Sequence, residues 1–270
     1  MSQTPRPEQK PSSEHHVFDG ITFEVEELEC TEGQAVKRKG IYLVPNAITT
    51  AALLSGFYAI TASMSGHYNQ AIIAIFIAAL LDGLDGRIAR AMNAQSSFGE
   101  QFDSLSDMLA FGVAPAILMY SWSLHGLGRI GLACCFVYTA CAAFRLARFN
   151  VQIGVVDKRY FIGIASPLAG IVVISTVWAG LSKHSILVPQ ALETQIGLAV
   201  LMVSIGLLMV SNMKYYSFKT MDKKRVPFIA LIPIVLILAA MTYNIPVGLL
   251  ILASAYIVSG FFTTMMAKNK

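Results

Sequence analysis

The chain has 270 residues, 55% of them hydrophobic and 13% charged, with a mean hydropathy of +0.61, a mix that excludes an ordinary soluble domain and fits a polytopic membrane protein. The formal charge of +4 comes with no recognisable nucleic-acid module, so no nucleic-acid partner is expected. Cys30 stands near the N-terminus and Cys134, Cys135 and Cys141 share one apolar run; this is neither a metal-ligand spacing nor a disulfide framework, and they read as small packing residues.

Residues 1–40 are polar, with Pro5, Pro7, Pro11 and paired His15 and His16, and lack the apolar core of a cleaved signal peptide. They are expected to form a polar cytoplasmic tail, disordered at first, whose basic end, Lys37, Arg38 and Lys39, lies at an anionic membrane surface. A membrane domain over 41–267 follows. Its fold class is all-α, a polytopic membrane helix bundle of about eight transmembrane helices. The apolar segments fall at about 41–63, 69–91, 100–122, 127–149, 164–182, 190–212, 226–243 and 246–266, each near the roughly 20 residues needed to span a bilayer. Of the 20 Lys and Arg residues, all but Arg129 and Lys183 fall on one side of such a topology. By the positive-inside rule that side is cytoplasmic, which places the protein in the inner (cytoplasmic) membrane with both termini inside. No internal repeat is present, so a repeat-built transporter gains no support.

Within this frame, residues 82–107 carry most of the polar chemistry. Asp82 and Asp85 stand three apart beside Gly83 and Gly86, and Asp103 and Asp107 stand four apart, so each pair projects from one face of a helix. A turn through Gln95, Ser96 and Ser97 folds the second helix back and brings the four acids together. Ionised carboxylates at the edge of a membrane are expensive, and two divalent cations, Mg²⁺ or Mn²⁺, balance four of them. Gly83, Gly86 and Ala89 leave one helix face almost bare. That face suits either a bulky ligand lying against the backbone or close packing of a neighbouring helix.

The pattern Asp82-Gly83-x-Asp85-Gly86-x-x-Ala89-Arg90, eight residues, Gly99, three residues, Asp103, three residues, Asp107 resembles, at every fixed position, the signature of the CDP-alcohol phosphatidyltransferase family. The resemblance runs from about residue 41 to 265. It implies a helical membrane fold with a cytoplasm-facing cavity, usually a homodimer, in which Asp82, Asp85 and Asp103 bind two metal ions. Asp107 would also contact metal and act as general base, with Gly83, Gly86, Ala89 and Arg90 at the nucleotide of the CDP-lipid. Pro45-Asn46-x-x-Thr49 also resembles the family pattern and offers Asn46 and Thr49 as nucleotide contacts, although proline, Asn and Thr are equally at home in a first helical turn.

Phe144 to Asn150, and Leu208 to Asn212 leading to Tyr216 to Lys219, resemble the serine-accepting members of the family. One departure is Ile164-Ala165-Ser166-Pro167, where such members more often show a Gly-Leu-Pro-type turn. The implied reaction transfers the phosphatidyl group of CDP-diacylglycerol to the hydroxyl of L-serine, giving phosphatidylserine and CMP. Arg145 and Arg148, three apart near the cytoplasmic end of a helix, suit the acceptor carboxylate or a phosphate, though arginines so placed also snorkel to lipid headgroups. The rival acceptors are glycerol 3-phosphate and inositol. A prenyltransferase is disfavoured because its acidic motifs lie far apart in sequence. An ion transporter with intramembrane carboxylates is a more distant alternative.

Overall fold

The computed structural model describes residues 30–31, 34–35, 43–92, 94, 96–152, 160–182, 188–216 and 245–268. The chain divides into two units, Met1–Lys37 and Arg38–Lys270. In the first, β1 (Cys30–Thr31) and β2 (Gln34–Ala35) pair antiparallel, with Cys30 opposite Ala35.

The second unit is helical: α1 (Leu43–Met64), α2 (Tyr68–Ala91), α3 (Ser97–Asp107), a π-helical turn (Met108–Val113), α4 (Ala114–Trp122), a 3₁₀ turn (Leu124–Leu127), α5 (Arg129–Gln152), α6 (Ser166–Leu181), α7 (Leu192–Val210) and α8 (Ile245–Lys268). A short ribbon of β3 (Tyr160–Ile162) and β4 (Lys214–Tyr216) joins the ends of α5 and α7, with Tyr160 opposite Tyr216. Seven of the eight expected segments thus coincide with helical runs, one of them made of α3, the π turn and α4. The expected helix at 226–243 lies outside the described residues.

Eight full-length spans are not shown among the described residues. Among the described residues four helical runs are long and apolar enough to cross a membrane: Leu43–Met64, Phe98–Trp122, Arg129–Val151 and Leu192–Val210. The protein is therefore an integral membrane protein. α6, at 16 residues, is about 24 Å long at 1.5 Å per residue, short of a hydrocarbon core of about 30 Å. Pro167 sits in its first turn, where a missing N–H costs nothing.

Close backbone approach holds the bundle together, as expected where lipid offers no hydrophobic drive between helices. A Cβ on Gly56 of α1 would come 3.1 Å from the Ala110 Cα, and one on Gly206 of α7 would come 3.2 Å from the Tyr138 Cα. The core between them includes Ile72 and Ile75 from α2, Leu118 and Met119 from α4, Tyr138 from α5, Ile174 from α6 and Met202 from α7.

Pro115 accounts for the π turn. It has no N–H to give the carbonyl four residues back, that of Phe111, and its ring crowds that carbonyl, so the helix widens there. The Tyr138 hydroxyl, buried on α5, donates to the Phe111 carbonyl at 2.8 Å, and Thr139 Oγ1 donates to that of Gly112 at 3.2 Å. A carbonyl freed at membrane depth is thereby satisfied by a neighbouring helix.

Candidate active site

The start of α1, the end of α2, the start of α3, the end of α5, the start of α6 and the end of α7 meet at one end of the bundle. The turn between α2 and α3 is set locally: the Ser96 Oγ caps α3 by accepting from the Gly99 N–H at 2.9 Å. This brings the two acidic pairs face to face. One carboxylate oxygen from each of Asp82, Asp85 and Asp103 lies within 4.8 Å of the others. Asp107 stands outside that triad but beside it, with Asp82 within hydrogen-bonding reach of both Asp103 and Asp107.

Each acid is held differently. Asp85 is buried at 4% exposure; its Oδ2 accepts from Thr49 Oγ1 at 2.8 Å, and its Oδ1 accepts from the Gly86 N–H. Thr49 also binds α3, because its carbonyl accepts from Ser106 Oγ at 3.3 Å. Asp103 Oδ1 is buried and has no hydrogen-bond partner. A buried carboxylate oxygen left unpaired is costly, and hard oxygen donors converging at this spacing are what a Mg²⁺ or Mn²⁺ ion takes. The triad therefore fits a divalent metal.

Gly83 and Gly86 bear on the two uses of the bare helix face. A Cβ built on either would meet no described atom within 4 Å, so among the described residues no helix packs there. Among the described residues the helix face beside the acids is open. Ala89 is half-buried and Arg90 exposed on the same helix end. Asn46 is half-buried on α1, and its Oδ1 would lie 3.5 Å from a Cβ on Gly99, which places it at the start of α3.

The two arginines part company. Arg145 turns toward α6, where its Nη1 donates to Ser166 Oγ at 2.7 Å, and it lies close enough to Asp107 for their charges to interact. Its Nε is buried and unpartnered. Arg148 turns toward the end of α7, donating from Nη2 to Asn212 Oδ1 at 2.7 Å and from Nη1 to the Val210 carbonyl at 3.3 Å. It thus satisfies a carbonyl that the helix end leaves open. Asn150 makes a third tether, to α3: its Nδ2 donates to Gln101 Oε1 at 3.2 Å and its Oδ1 accepts from Ser104 Oγ at 3.0 Å. Gln101 and Ser104 flank Asp103, so the end of α5 fixes the acid-bearing helix from outside the cluster. Sequence reasoning missed Ser104, Ser166 and Asn212 as site-supporting residues. Asn150, Ser166 and Asn212 lie within sequence stretches compared with the family, but nothing local shows what they touch.

A membrane helix bundle with an aspartate triad that fits a divalent metal at one end is the setting of a metal-assisted membrane enzyme. Residues 42–261 match the CDP-alcohol phosphatidyltransferase family, and the chain belongs to that family. As a CDP-alcohol phosphatidyltransferase the chain is a transferase of phospholipid biosynthesis. It is 38% identical over 179 residues, 66% of this chain and 74% of the relative, to a CDP-diacylglycerol–serine O-phosphatidyltransferase of Helicobacter pylori. It is 33% identical over 178 residues, 65% of this chain and 91% of the relative, to the Bacillus subtilis protein of that name. An archaetidylserine synthase of Methanothermobacter thermautotrophicus is 32% identical over 174 residues, 64% of this chain and 69% of the relative.

Proposed function

We propose that the chain is a CDP-diacylglycerol–serine O-phosphatidyltransferase, its site facing the cytoplasm, and that residues 41–267 form its catalytic domain. The observation that carries this is a pair of buried, unpartnered polar atoms of opposite demand at one site: Asp103 Oδ1, which needs a cation, and Arg145 Nε, which needs an anion. CDP-diacylglycerol with its metal answers the first. The carboxylate of serine answers the second, and the names of the relatives support serine over glycerol 3-phosphate or inositol.

Asp82, Asp85 and Asp103 would hold two Mg²⁺ or Mn²⁺ ions, with Asp107 completing the set. Such ions, when bound, neutralise the diphosphate and the charge developing on the leaving CMP. The open face of Gly83, Gly86 and Ala89, with Asn46, Thr49 and Arg90 around it, takes the CDP-lipid. Asp107 accepts the proton of the serine hydroxyl as its oxygen bonds to the phosphatidyl phosphorus and the bond from that phosphorus to the CMP oxygen breaks. Arg145 lies close enough to Asp107 for their charges to interact, and an acceptor carboxylate held by Arg145 would stand beside that base. The enzyme is expected to work as a homodimer.

Purified protein given CDP-diacylglycerol and a panel of alcohols should release CMP fastest with serine and only with added divalent metal. Asp82→Asn, Asp85→Asn and Asp103→Asn should each abolish turnover and weaken Mn²⁺ binding, read by the spin-resonance signal of free Mn²⁺. Full activity after exhaustive chelation would sink the metal assignment. A preference for inositol or glycerol 3-phosphate would move the chain to another acceptor class.

A further inference from the structure

Ser166 has no part in the reaction as proposed, yet it is fully buried at 0% exposure and begins α6. Its Oγ accepts from Arg145 Nη1 at 2.7 Å. It is placed there by the ribbon: the Gly163 N–H donates to the Met213 carbonyl at 2.9 Å and the Ile164 N–H to that of Leu208 at 3.3 Å. Gly163 has φ +77°, a conformation that favours glycine. These bonds tie the chain entering α6 to the end of α7. A guanidinium has two donating edges, and the one formed by Nε–H with a hydrogen of Nη2 matches a carboxylate with two parallel bonds. Ser166 occupies Nη1, which belongs to the other edge. Among the described residues the Nε–Nη2 edge makes no hydrogen bond, and its Nε is buried.

We infer that Ser166 is a positioning residue that sets acceptor specificity, holding the Arg145 guanidinium so that its Nε–Nη2 edge stays turned to the carboxylate of an amino-acid acceptor. This rests on the serine-transferase reading above. A hydroxyl suits the task because it accepts from Nη1 without a charge of its own, whereas a carboxylate at that position would draw the fork away from the acceptor.

The test is steady-state kinetics on the purified full chain in mixed lipid–detergent micelles. Ser166→Ala should raise the serine KM by roughly tenfold, which corresponds to about 1.4 kcal/mol. The KM for CDP-diacylglycerol and kcat should stay within about twofold. Discrimination between serine and its methyl ester should fall with it, and Ser166→Thr should restore both. In an Arg145→Ala background Ser166→Ala should add nothing, since it acts through that arginine. An unmoved serine KM, an equal rise in the KM for CDP-diacylglycerol, or a full effect in the Arg145→Ala background would overturn the role of Ser166. Should Ser166→Ala fail to accumulate, Ser166→Cys, close in size and a weak acceptor, carries the same expectations. Wild-type protein that uses serine while Ser166→Ala leaves its KM unchanged refutes this inference alone. Wild-type protein that prefers another acceptor refutes the serine reading and this inference together.

Discussion

Thr49 Oγ1 lies 2.8 Å from Asp85 Oδ2 and 3.1 Å from the Pro45 carbonyl, and its single proton goes to the carboxylate, the nearer and stronger acceptor. Asp85 is thus oriented from α1, a helix that bears no acid of its own. Groups that orient a metal ligand typically control affinity or activity by about 10- to 100-fold. Thr49→Val, which keeps the shape and loses the hydroxyl, should weaken the apparent Mn²⁺ affinity by that range, and Thr49→Ser should restore it. Mn²⁺ titrations of activity and of direct binding would measure this. A rise in the KM for CDP-diacylglycerol with unchanged Mn²⁺ affinity would instead make Thr49 a nucleotide contact.

Tyr138 stabilises the kinked helix that carries Asp107. Removing its hydroxyl leaves the Phe111 carbonyl, already deprived of a donor by Pro115, unpaired in the core. An unsatisfied buried polar group costs about 1–3 kcal/mol. Tyr138→Phe should therefore unfold in detergent at a lower temperature than wild type. Combining it with Pro115→Ala, which returns an N–H to the helix, should recover part of the loss. Thermal unfolding of the four proteins in one detergent tests this, and an additive double variant would refute the link between the two residues.

The sequence made the acids legible because their relation is local: spacings of three and four residues fix a helix face, and a capped turn folds one helix onto the next. Long apolar runs were legible for the same reason, through a property each segment carries alone. The partners of the arginines were not. Arg145 and Arg148 are three apart, but one meets Ser166 on α6 and the other Asn212 beyond α7. No periodicity encodes those contacts. Pro115 could be read as a breaker of its span, but the hydroxyl that answers the freed Phe111 carbonyl lies 27 residues from Phe111, near the middle of another helix. The start of α6 likewise depends on the ribbon that precedes it, and strands of three residues leave no pattern in an apolar chain.

Orientation in the membrane is open to a direct test. Arg87, Arg90, Arg145, Arg148 and Lys214 all belong to the end of the bundle that holds the aspartates, and Arg129 opens α5 at the other. By the positive-inside rule the site is expected to face the cytoplasm. In intact cells a single cysteine at Ser65, in the turn between α1 and α2, should react with a membrane-impermeant thiol reagent, and one at Lys214 should react only after lysis. The reverse pattern would invert the topology and put the acids outside.

Gly83 and Gly86 supply the last prediction, because they separate a ligand face from a packing face. If a helix packed against them, a methyl group at either would force helices apart and destabilise the fold, as a Cβ at Gly56 or Gly206 would. Here a Cβ meets no described atom within 4 Å, and replacing glycine in a helix by alanine is favourable by roughly 0.8–1 kcal/mol in propensity. Gly83→Ala and Gly86→Ala should therefore fold at least as well as wild type, while the methyl group would intrude on the proposed place of the nucleotide. The KM for CDP-diacylglycerol should rise, and rise further along Ala, Val and Leu, with the serine KM little changed. Thermal unfolding measured beside the kinetics reads both arms. A fall in stability that tracks side-chain size, with the KM for CDP-diacylglycerol unmoved, would return these glycines to helix packing.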